Sequence, residues 1–328
     1  MSAATLRVLE AGLETTVQDY PGRSGMLAQG FYPSGAMDHL ALRAANLVVG
    51  NALGEAALEI TLGAVAFTLA RDATICVTGA SAPIHVNGDE VEMWTSHRVP
   101  ADAEIRIGIA PGPAFRQYLA VGGGIDVPEL FGSRSTYTMG ALGGHEGRPL
   151  IAGDVLPLGV DDGAGPGRRL EASARPQYAR DWDVEVTRGP QASPDFLTEA
   201  DMDTLTERWW KVDANSNRTG IRLESHKFDW ARTTGGIAGG HPSNILDNPY
   251  PVGSVNINGD LPVILGPDGP TAGGFVVPVT VAHGAFWKLG QFRPVGDRIR
   301  FREVTVEEAI GIEDSLSELL TEASIESA

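Results

Sequence analysis

The stretch "GGHPSNILD", residues 239–247, decides the fold prediction because it has a counterpart early in the chain. The segment "GFYPSGAMD", residues 30–38, carries glycine, proline, serine and aspartate at the same offsets. Two further pairs of segments match in the same order: "GRSG" (22–25) with "NRTG" (217–220), and "RPLIAGDVLPL" (148–158) with "RPVGDRIRF" (293–301). Three ordered matches predict a duplicated β domain. The repeat is too long for a solenoid, whose period is about 20–50 residues.

The composition predicts that both halves are mainly β. The chain has 328 residues, which suits about two domains, and its 41 glycines and 21 prolines favour short strands joined by tight turns. Asn87-Gly88 and Asn258-Gly259 each separate two apolar runs. This dipeptide is a strong hairpin signal because the turn needs positive φ at both central residues. We therefore expect a hairpin at each of these positions.

Helices are expected to be few. The stretch at residues 36–50 has its apolar residues on one helical face, after a possible cap at Ser34. A second helix is predicted within residues 196–210. A third begins at Thr305, which forms a capping box with Glu308, and we expect it to run into an acidic tail that frays.

A polar segment without periodicity divides the two halves. Residues 159–177 are interrupted by glycine and proline, as is typical of a linker. The predicted organisation is a first β domain at 1–158, a linker at 159–180, a second β domain at 181–304 and an acidic C-terminal helix or tail at 305–328.

The charge argues against nucleic acid and membranes as partners. The formal net charge is −17, so the surface repels phosphate backbones and anionic lipid. No apolar run approaches the roughly 20 residues that a membrane-spanning helix needs, and the N-terminus lacks a signal-peptide pattern. We therefore expect a soluble cytoplasmic protein.

Cysteine and histidine spacing predicts no metal site. The single cysteine, Cys76, excludes an internal disulfide framework and any CxxC motif, and its apolar neighbours indicate a buried, inert thiol. The seven histidines show no HExxH or H-x-x-x-H spacing.

Three long motifs resemble a known family. They are "TTVQDYPGRSGMLAQGFYPSGAMDHLALRAANLVVGN" (15–51), "GSRSTYTMGALGGHEGRPLIAGD" (132–154) and "NRTGIRL" (217–223). They are similar to the allophanate hydrolase subunit 2 family, which includes the carboxyltransferase half of urea carboxylase and the C subunit of bacterial 5-oxoprolinase. The resemblance covers about residues 5–310. The stretch at 235–278 is most similar to the urea carboxylase branch.

The resemblance implies two tandem cyclophilin-like β-barrels and a subunit 1-like partner. It also implies transfer of a carboxyl group from carboxybiotin to urea or a related amide. The chain has no Met-Lys-Met biotinylation tripeptide, no ATP-grasp glycine-rich segment and no Ser-Ser-Lys amidase signature. Any carboxybiotin must therefore be presented by another subunit, with a biotin carrier and biotin carboxylase as further partners.

Two alternatives remain open at this stage. The first is a subunit of an ATP-dependent 5-oxoprolinase complex, which hydrolyses a lactam. The second is a non-catalytic regulatory partner of a kinase-inhibitor-like subunit 1. A fold shared with cyclophilins does not by itself indicate prolyl isomerase activity.

The chemistry of carboxyl transfer selects the candidate residues. The ureido oxygen of biotin needs hydrogen-bond donors, and the accepting nitrogen needs a base or an orienting carboxylate. The candidate catalytic residues are His241, Asn244, Asp247 and Asp268. The candidate substrate-binding residues, several of them at family motif positions, are Gln18, Asp19, Arg23, Ser34, Asp38, Ser243, Gly273 and Gly274. The two glycines would let backbone N–H groups approach an anion.

Each candidate also has a structural interpretation. Asp268 lies in Pro-Asp-Gly, a strong turn sequence by itself. Asp38 and Asp247 could tie down equivalent loops of the repeat, and each serine could be a cap. His241 has no Cys or Asp nucleophile near it in sequence, so a catalytic triad is disfavoured.

Overall fold

The computed structural model describes residues 4–328, and the described chain is mainly β with three α-helices. The strands are β1 (Thr5–Glu10), β2 (Glu14–Gln18), β3 (Ala57–Thr61), β4 (Val65–Leu69), β5 (Ala73–Gly79), β6 (Ile84–Val86), β7 (Asp89–Val91), β8 (His97–Val99), β9 (Glu104–Ile107), β10 (Arg116–Val121), β11 (Val155–Pro157), β12 (Arg168–Leu170), β13 (Asp181–Arg188), β14 (Trp210–Lys211), β15 (Gly220–Arg222), β16 (Asn244–Pro249), β17 (Ser254–Asn258), β18 (Leu261–Leu265), β19 (Ala272–Phe275), β20 (Val279–Val281), β21 (Arg298–Glu303) and β22 (Ile325–Ser327). The helices are α1 (His39–Val49), α2 (Glu199–Glu207) and α3 (Val306–Leu319). The predicted fold class, mainly β with few helices, is confirmed.

The chain forms two compact units. Unit 1 comprises residues up to 25, residues 33–178 and residues 318–328. Unit 2 comprises residues 26–32 and 179–317. Strand β12 lies inside the segment predicted to be a linker, and the segment from 318 onward belongs to unit 1.

Two sheets of unit 1 share one apolar core. The six-stranded sheet has the order β11-β1-β4-β9-β6-β7, and the five-stranded sheet has the order β2-β3-β10-β5-β8. Leu6 and Phe67 from the first sheet and Leu58 and Leu119 from the second belong to the same buried cluster. Cys76 is fully buried on β5, and burial raises the pKa of its thiol well above the usual range. Its interpretation as an inert thiol fits this environment.

Helix α1 packs on the five-stranded sheet and is buried along its whole length. Its N-cap is Asp38, whose side chain accepts a hydrogen bond from Ala41 N at 2.9 Å. The predicted cap at Ser34 is wrong: Ser34 lies four residues earlier, with a left-handed φ of 53°. Gly50, at φ 83°, ends the helix in the left-handed conformation that favours glycine.

Unit 2 is built on one seven-stranded sheet. Its strand order is β14-β21-β13-β20-β17-β18-β15, and β13 and β21 run parallel. Strands β16 and β19 form a separate two-stranded sheet, which we call the arm. The predicted second helix is α2, which begins with a capping box between Thr198 and Asp201.

Both predicted hairpins are present. Asn87 and Gly88 adopt φ values of 51° and 91° between β6 and β7. The later hairpin joins β17 and β18, but its turn residues are Gly259 and Asp260, because Asn258 pairs with Leu261. A glycine at the first turn position, here with φ 65°, is typical of a type II′ turn.

The C-terminal segment is only partly as predicted. The capping box is confirmed, since Thr305 N donates to Glu308 Oε2 at 2.8 Å and Glu308 N to Thr305 Oγ1 at 3.1 Å. The expectation that the tail frays is wrong. Strand β22 pairs antiparallel with β12, and Arg168 also forms an ion pair with Glu322 at 3.0 Å.

The paired segments that suggested a duplication share some structural features and differ in others. Arg23 and Arg218 are both buried, and the loops at 148–154 and 293–297 each end in an aspartate before a strand. The segment at 30–38, however, leads into α1, whereas its counterpart leads into β16.

No helix within residues 4–328 combines the length and the apolar character needed to cross a bilayer.

Candidate active site

In unit 1 the candidates lie on two loops whose backbones touch. Arg23 N donates to Pro33 O at 2.7 Å, and Ala36 N donates to Asp19 O at 3.0 Å. A Cβ on Gly22 would lie 2.4 Å from Pro33 O, so only glycine permits this approach. The loops at residues 18–23 and 33–38 therefore form one structural element.

Asp19 holds a third segment against these loops. Its carboxylate accepts hydrogen bonds from Ser133 Oγ at 2.9 Å, from Arg134 N at 2.6 Å and from Ser135 Oγ. Gln18 donates from Nε2 to Thr136 O at 3.2 Å. The Asp19 carboxylate is thus occupied by donors from within the protein. Its observed contacts fix residues 133–135 against the loop at residues 18–23.

Arg23 is a buried arginine and is 2% exposed. Its Nη2 donates to Ser135 O, and any side chain at Gly143 would collide with this guanidinium. Substrate binding by Arg23 stays a prediction, because the contacts within the described chain explain its position without a ligand.

Asp38 connects helix α1 to a buried hydrogen-bond network. Its Oδ2 accepts from the Tyr178 hydroxyl at 2.8 Å, and its backbone N donates to the Tyr118 hydroxyl at 2.7 Å. Tyr118 in turn donates to Glu59 Oε2 at 2.8 Å. Burial, followed by the charges of Glu59 and Asp38, raises the pKa of Tyr118 well above its usual range. This phenol therefore stays protonated and acts as a donor.

In unit 2, His241 and Ser243 form a local pair. Ser243 donates to His241 Nδ1 from its backbone N at 3.1 Å, and Oγ lies 2.8 Å from the same nitrogen. A backbone N–H can only donate, so Nδ1 is an acceptor and Nε2 carries the ring proton. Ser243 Oγ also accepts from Gly259 N at 3.0 Å and is completely buried. Ser243 therefore orients His241 and is not exposed as a nucleophile.

The backbone of Asn244 is fixed by an arginine that the sequence did not indicate. Arg232 donates from Nη2 to Asn244 O at 2.7 Å and from Nε to Pro242 O at 2.7 Å. Its guanidinium lies 4.5 Å from the centre of the Phe196 ring, and burial lowers its pKa. Arg232 thereby sets the start of strand β16.

Asp247 is the candidate carboxylate that remains accessible. It lies on β16 of the arm and is exposed, and its side chain makes no hydrogen bond or ion pair with any residue of the described chain. Leu246 beside it is 64% exposed. Asp38 and Asp247 are thus not equivalent, because one caps a buried helix and the other faces solvent.

Asp268 is buried in an ion pair. Its Oδ2 lies 2.7 Å from Arg218 Nε and its Oδ1 lies 3.3 Å from Nη2, and both side chains are at most 5% exposed. These contacts agree with a structural function and leave Asp268 little freedom to act as a base. The partner lies 50 residues away, so the turn sequence alone could not reveal it.

Gly273 and Gly274 lie in strand β19 of the arm, where Asn248 pairs with Gly273. Neither adopts a left-handed φ. A Cβ on Gly273 would lie 2.7 Å from Tyr250 Cε2, and the Tyr250 hydroxyl is fixed by Phe275 N at 2.7 Å and Phe275 O at 2.9 Å. The anion-binding function expected of these glycines stays a prediction. The close contact with the Tyr250 ring explains by itself why position 273 is a glycine.

We predict that Gly273→Ala lowers the free energy of unfolding of unit 2 by about 1–3 kcal/mol. The added methyl group would collide with the Tyr250 ring, which cannot move away freely because two hydrogen bonds hold its hydroxyl in place. Gly240→Ala is the matched control, since a Cβ there meets nothing within 4 Å and its φ is not left-handed. Thermal unfolding of the two variants should differ by several degrees. Equal melting temperatures would contradict the steric explanation.

Comparison with known proteins shows which family the chain belongs to. The profile of the carboxyltransferase domain, subdomains A and B, matches residues 29–303. The chain belongs to this carboxyltransferase-domain family. The resemblance recognised in the sequence is therefore confirmed.

Relatives of this carboxyltransferase domain include parts of longer enzymes and a protein of similar length. Urea amidolyase of Lachancea kluyveri is 40% identical over 319 residues, which are 94% of this chain but 17% of that protein. The 5-oxoprolinase C subunit of Escherichia coli K12 is 33% identical over 306 residues, 93% of each chain. The crystal structure of Kluyveromyces lactis urea carboxylase has a TM-score of 0.93 at 39% identity and covers 99% of this chain and 30% of that one. The chain is thus homologous to components of enzymes, and it spans less than a fifth of the amidolyase.

Sequence reasoning missed several residues that shape the carboxyltransferase domain. Arg232 bonds the backbone at the start of β16, the Tyr250 hydroxyl bonds Phe275 of β19, and Arg43 is buried in α1. A single arginine in a helix whose other residues are mostly apolar was a usable signal for Arg43. Among residues 4–328, no three His, Cys, Asp or Glu side chains are arranged to hold a metal ion.

Proposed function

We propose that this carboxyltransferase domain moves a carboxyl group between carboxybiotin, presented by another subunit, and urea or a related amide. The observation that carries the proposal is the likeness to K. lactis urea carboxylase over nearly the whole chain, with a TM-score of 0.93. The acidic surface and the single cysteine favour action in the cytoplasm.

The geometry of unit 2 supports two functional groups. His241 presents a ring N–H at Nε2 because Nδ1 is already an acceptor, and this donor suits the ureido oxygen of carboxybiotin. Asp247 presents an accessible carboxylate that can orient or deprotonate the accepting nitrogen. Carboxybiotin would supply the carboxyl group, and the chain's own residues would hold and orient the two reactants. Asn244, fixed by Arg232, completes the proposed catalytic set.

Partner subunits are part of this proposal. The matching region is a small share of the amidolyase, and another relative is itself named a subunit. We therefore propose a subunit 1-like partner, together with a biotin carrier and a biotin carboxylase.

We predict that co-expression with a subunit 1-like protein yields a stable hetero-complex. The measurement is size-exclusion chromatography with light scattering at physiological salt. Elution of two separate peaks would count against the proposed partner.

The catalytic test supplies that complex with biotin carboxylase, biotinylated carrier, ATP and bicarbonate. Bicarbonate consumption should depend on urea or a related amide and should stop when the carrier is left unbiotinylated. The second candidate function, as part of a 5-oxoprolinase, is favoured by the equal coverage of both chains in the E. coli comparison. Cleavage of 5-oxoproline without biotin would support that candidate and refute carboxyl transfer.

A further inference from the structure

Arg43 in helix α1 is a buried cation without a protein counter-ion. It is 7% exposed, and its Nε and Nη1 have no hydrogen-bond partner among residues 4–328. No carboxylate of the described chain lies within ion-pair distance of it. Its neighbour is the Tyr20 ring, whose centre lies 5.0 Å from the Arg43 guanidinium carbon.

Other buried arginines have protein acceptors as partners. Arg218 forms its ion pair with Asp268, Arg116 lies 3.5 Å from Glu59, and Arg23 donates to Ser135 O. A buried charge that lacks both a counter-ion and hydrogen bonds destabilises the folded state. Contact with the Tyr20 face offsets only part of that cost. Arg43 is therefore suited to an anion that comes from outside the chain.

A second buried group without a partner lies on the adjoining loops. Ser34 is 4% exposed, and its Oγ has no hydrogen bond among the described residues. It adopts a left-handed φ of 53°, which is uncommon for serine. A Cβ on Gly22 would lie 3.0 Å from Ser34 O, so Ser34 packs against the loop that contains Tyr20. Two buried groups without a hydrogen-bond partner, on Arg43 and Ser34, thus belong to residues that lie next to the segment 20–22.

We propose that Arg43, with Ser34, binds a small planar oxyanion of the carboxylate class. A guanidinium presents parallel N–H donors that match the two oxygens of such an anion, and a serine hydroxyl supplies one more donor. The inference rests on the proposed function, in which a carboxyl group must be held. The anion could be the carboxylate of carboxybiotin, for which free bicarbonate serves as a probe, or the carboxylate of 5-oxoproline.

The test measures binding of ¹³C-bicarbonate and, in a second arm, of 5-oxoproline to the purified full chain by NMR line broadening and titration. We expect Arg43→Met to weaken binding at least about 10-fold, the usual effect of losing a charge-assisted hydrogen bond. Arg43→Lys keeps the charge but loses the planar pair of donors, and Ser34→Ala loses the hydroxyl, so each should weaken binding several-fold. Arg7→Met, an exposed arginine on β1, is the control for net charge and should bind as the wild type does.

The melting temperature measured without added anion distinguishes a binding function of Arg43 from a structural one. Because Arg43 has no protein counter-ion, Arg43→Met should melt at the same temperature as the wild type or higher. A marked loss of melting temperature in Arg43→Met, or wild-type binding in both Arg43→Met and Arg43→Lys, overturns the proposal.

The two arms also distinguish this inference from the proposed function. Arg43-dependent binding of bicarbonate by the purified chain, together with a reconstituted complex that fails to carboxylate urea, would retain the anion site and refute the function. Arg43-dependent binding of 5-oxoproline alone would retain the site and assign it to that substrate. Urea-dependent carboxylation by Arg43→Met at the wild-type kcat and the wild-type KM for the carboxylated carrier would refute the site and retain the function.

Discussion

Replacing Asp268 by asparagine is expected to lower the free energy of unfolding by about 3–5 kcal/mol. The substitution keeps the shape of the side chain but removes the buried negative charge that lies 2.7 Å from Arg218 Nε, in a pair whose side chains are at most 5% exposed. A loss of this size should reduce the melting temperature of the carboxyltransferase domain by on the order of 10 °C. Urea denaturation, followed by circular dichroism, measures the change.

Asp181→Asn is the matched control for Asp268→Asn. Asp181 forms a similar two-point ion pair with Arg298, at 2.9 Å and 2.6 Å, but both side chains are about half exposed. Solvent screens such a pair, so its loss should cost no more than about 1 kcal/mol. If both variants lose the same stability, burial is not what makes the Asp268 pair important.

Replacing Asp247 by asparagine is expected to reduce the urea-dependent rate of the reconstituted complex by about 10²–10⁴-fold, the usual contribution of one acid–base group. Its melting temperature should stay within about 1 °C of the wild type, because the carboxylate is exposed and makes no hydrogen bond in the described chain. The measurement pairs steady-state kinetics with thermal unfolding.

Asp203→Asn on helix α2 serves as the control for Asp247→Asn. Asp203 is also an exposed carboxylate of unit 2, and its side chain makes no hydrogen bond with residues 4–328. This variant should keep the wild-type rate. Retention of full activity by Asp247→Asn would remove Asp247 from the proposed catalytic set.

His241 differs from Asp247 because its ring also supports local structure. Both the backbone N and the hydroxyl of Ser243 use Nδ1, so truncation of His241 leaves two buried groups without that partner. We therefore expect truncation of His241, which is half-buried, to lower stability as well as activity. A substitution that keeps an acceptor at the Nδ1 position is therefore the more informative variant.

Local features of the fold were predictable from sequence where local chemistry determines them. The Asn87-Gly88 hairpin and the Thr305 capping box each depend on a few neighbouring residues, and both are present. The turn at Gly259 was displaced by one residue, because cross-strand pairing of Asn258 decides the register. Pairing between distant strands likewise orders β22, which the polar composition of the tail could not indicate.

The candidate site was less predictable, because its contacts join residues far apart in the chain. The sequence indicated Asp19 and Asp268 as polar loop residues, but only the fold shows that Ser133 and Arg218 occupy their carboxylates. Matching letters at Asp38 and Asp247 suggested equivalence, yet the following residues form a helix in one case and a strand in the other. The burial of Arg43 depends on the sheet beneath α1.

The pairing of β22 with β12 has a consequence for biosynthesis. Residues 179–317, most of unit 2, lie between these two strands in the chain. A ribosome therefore finishes unit 2 before it makes the strand that completes the small sheet of unit 1. At about 5–20 residues per second, β12 waits roughly 10–30 s for its partner. Slow codons in the stretch that encodes α3 would lengthen this interval, during which the edge of β12 is open to pairing with another nascent chain.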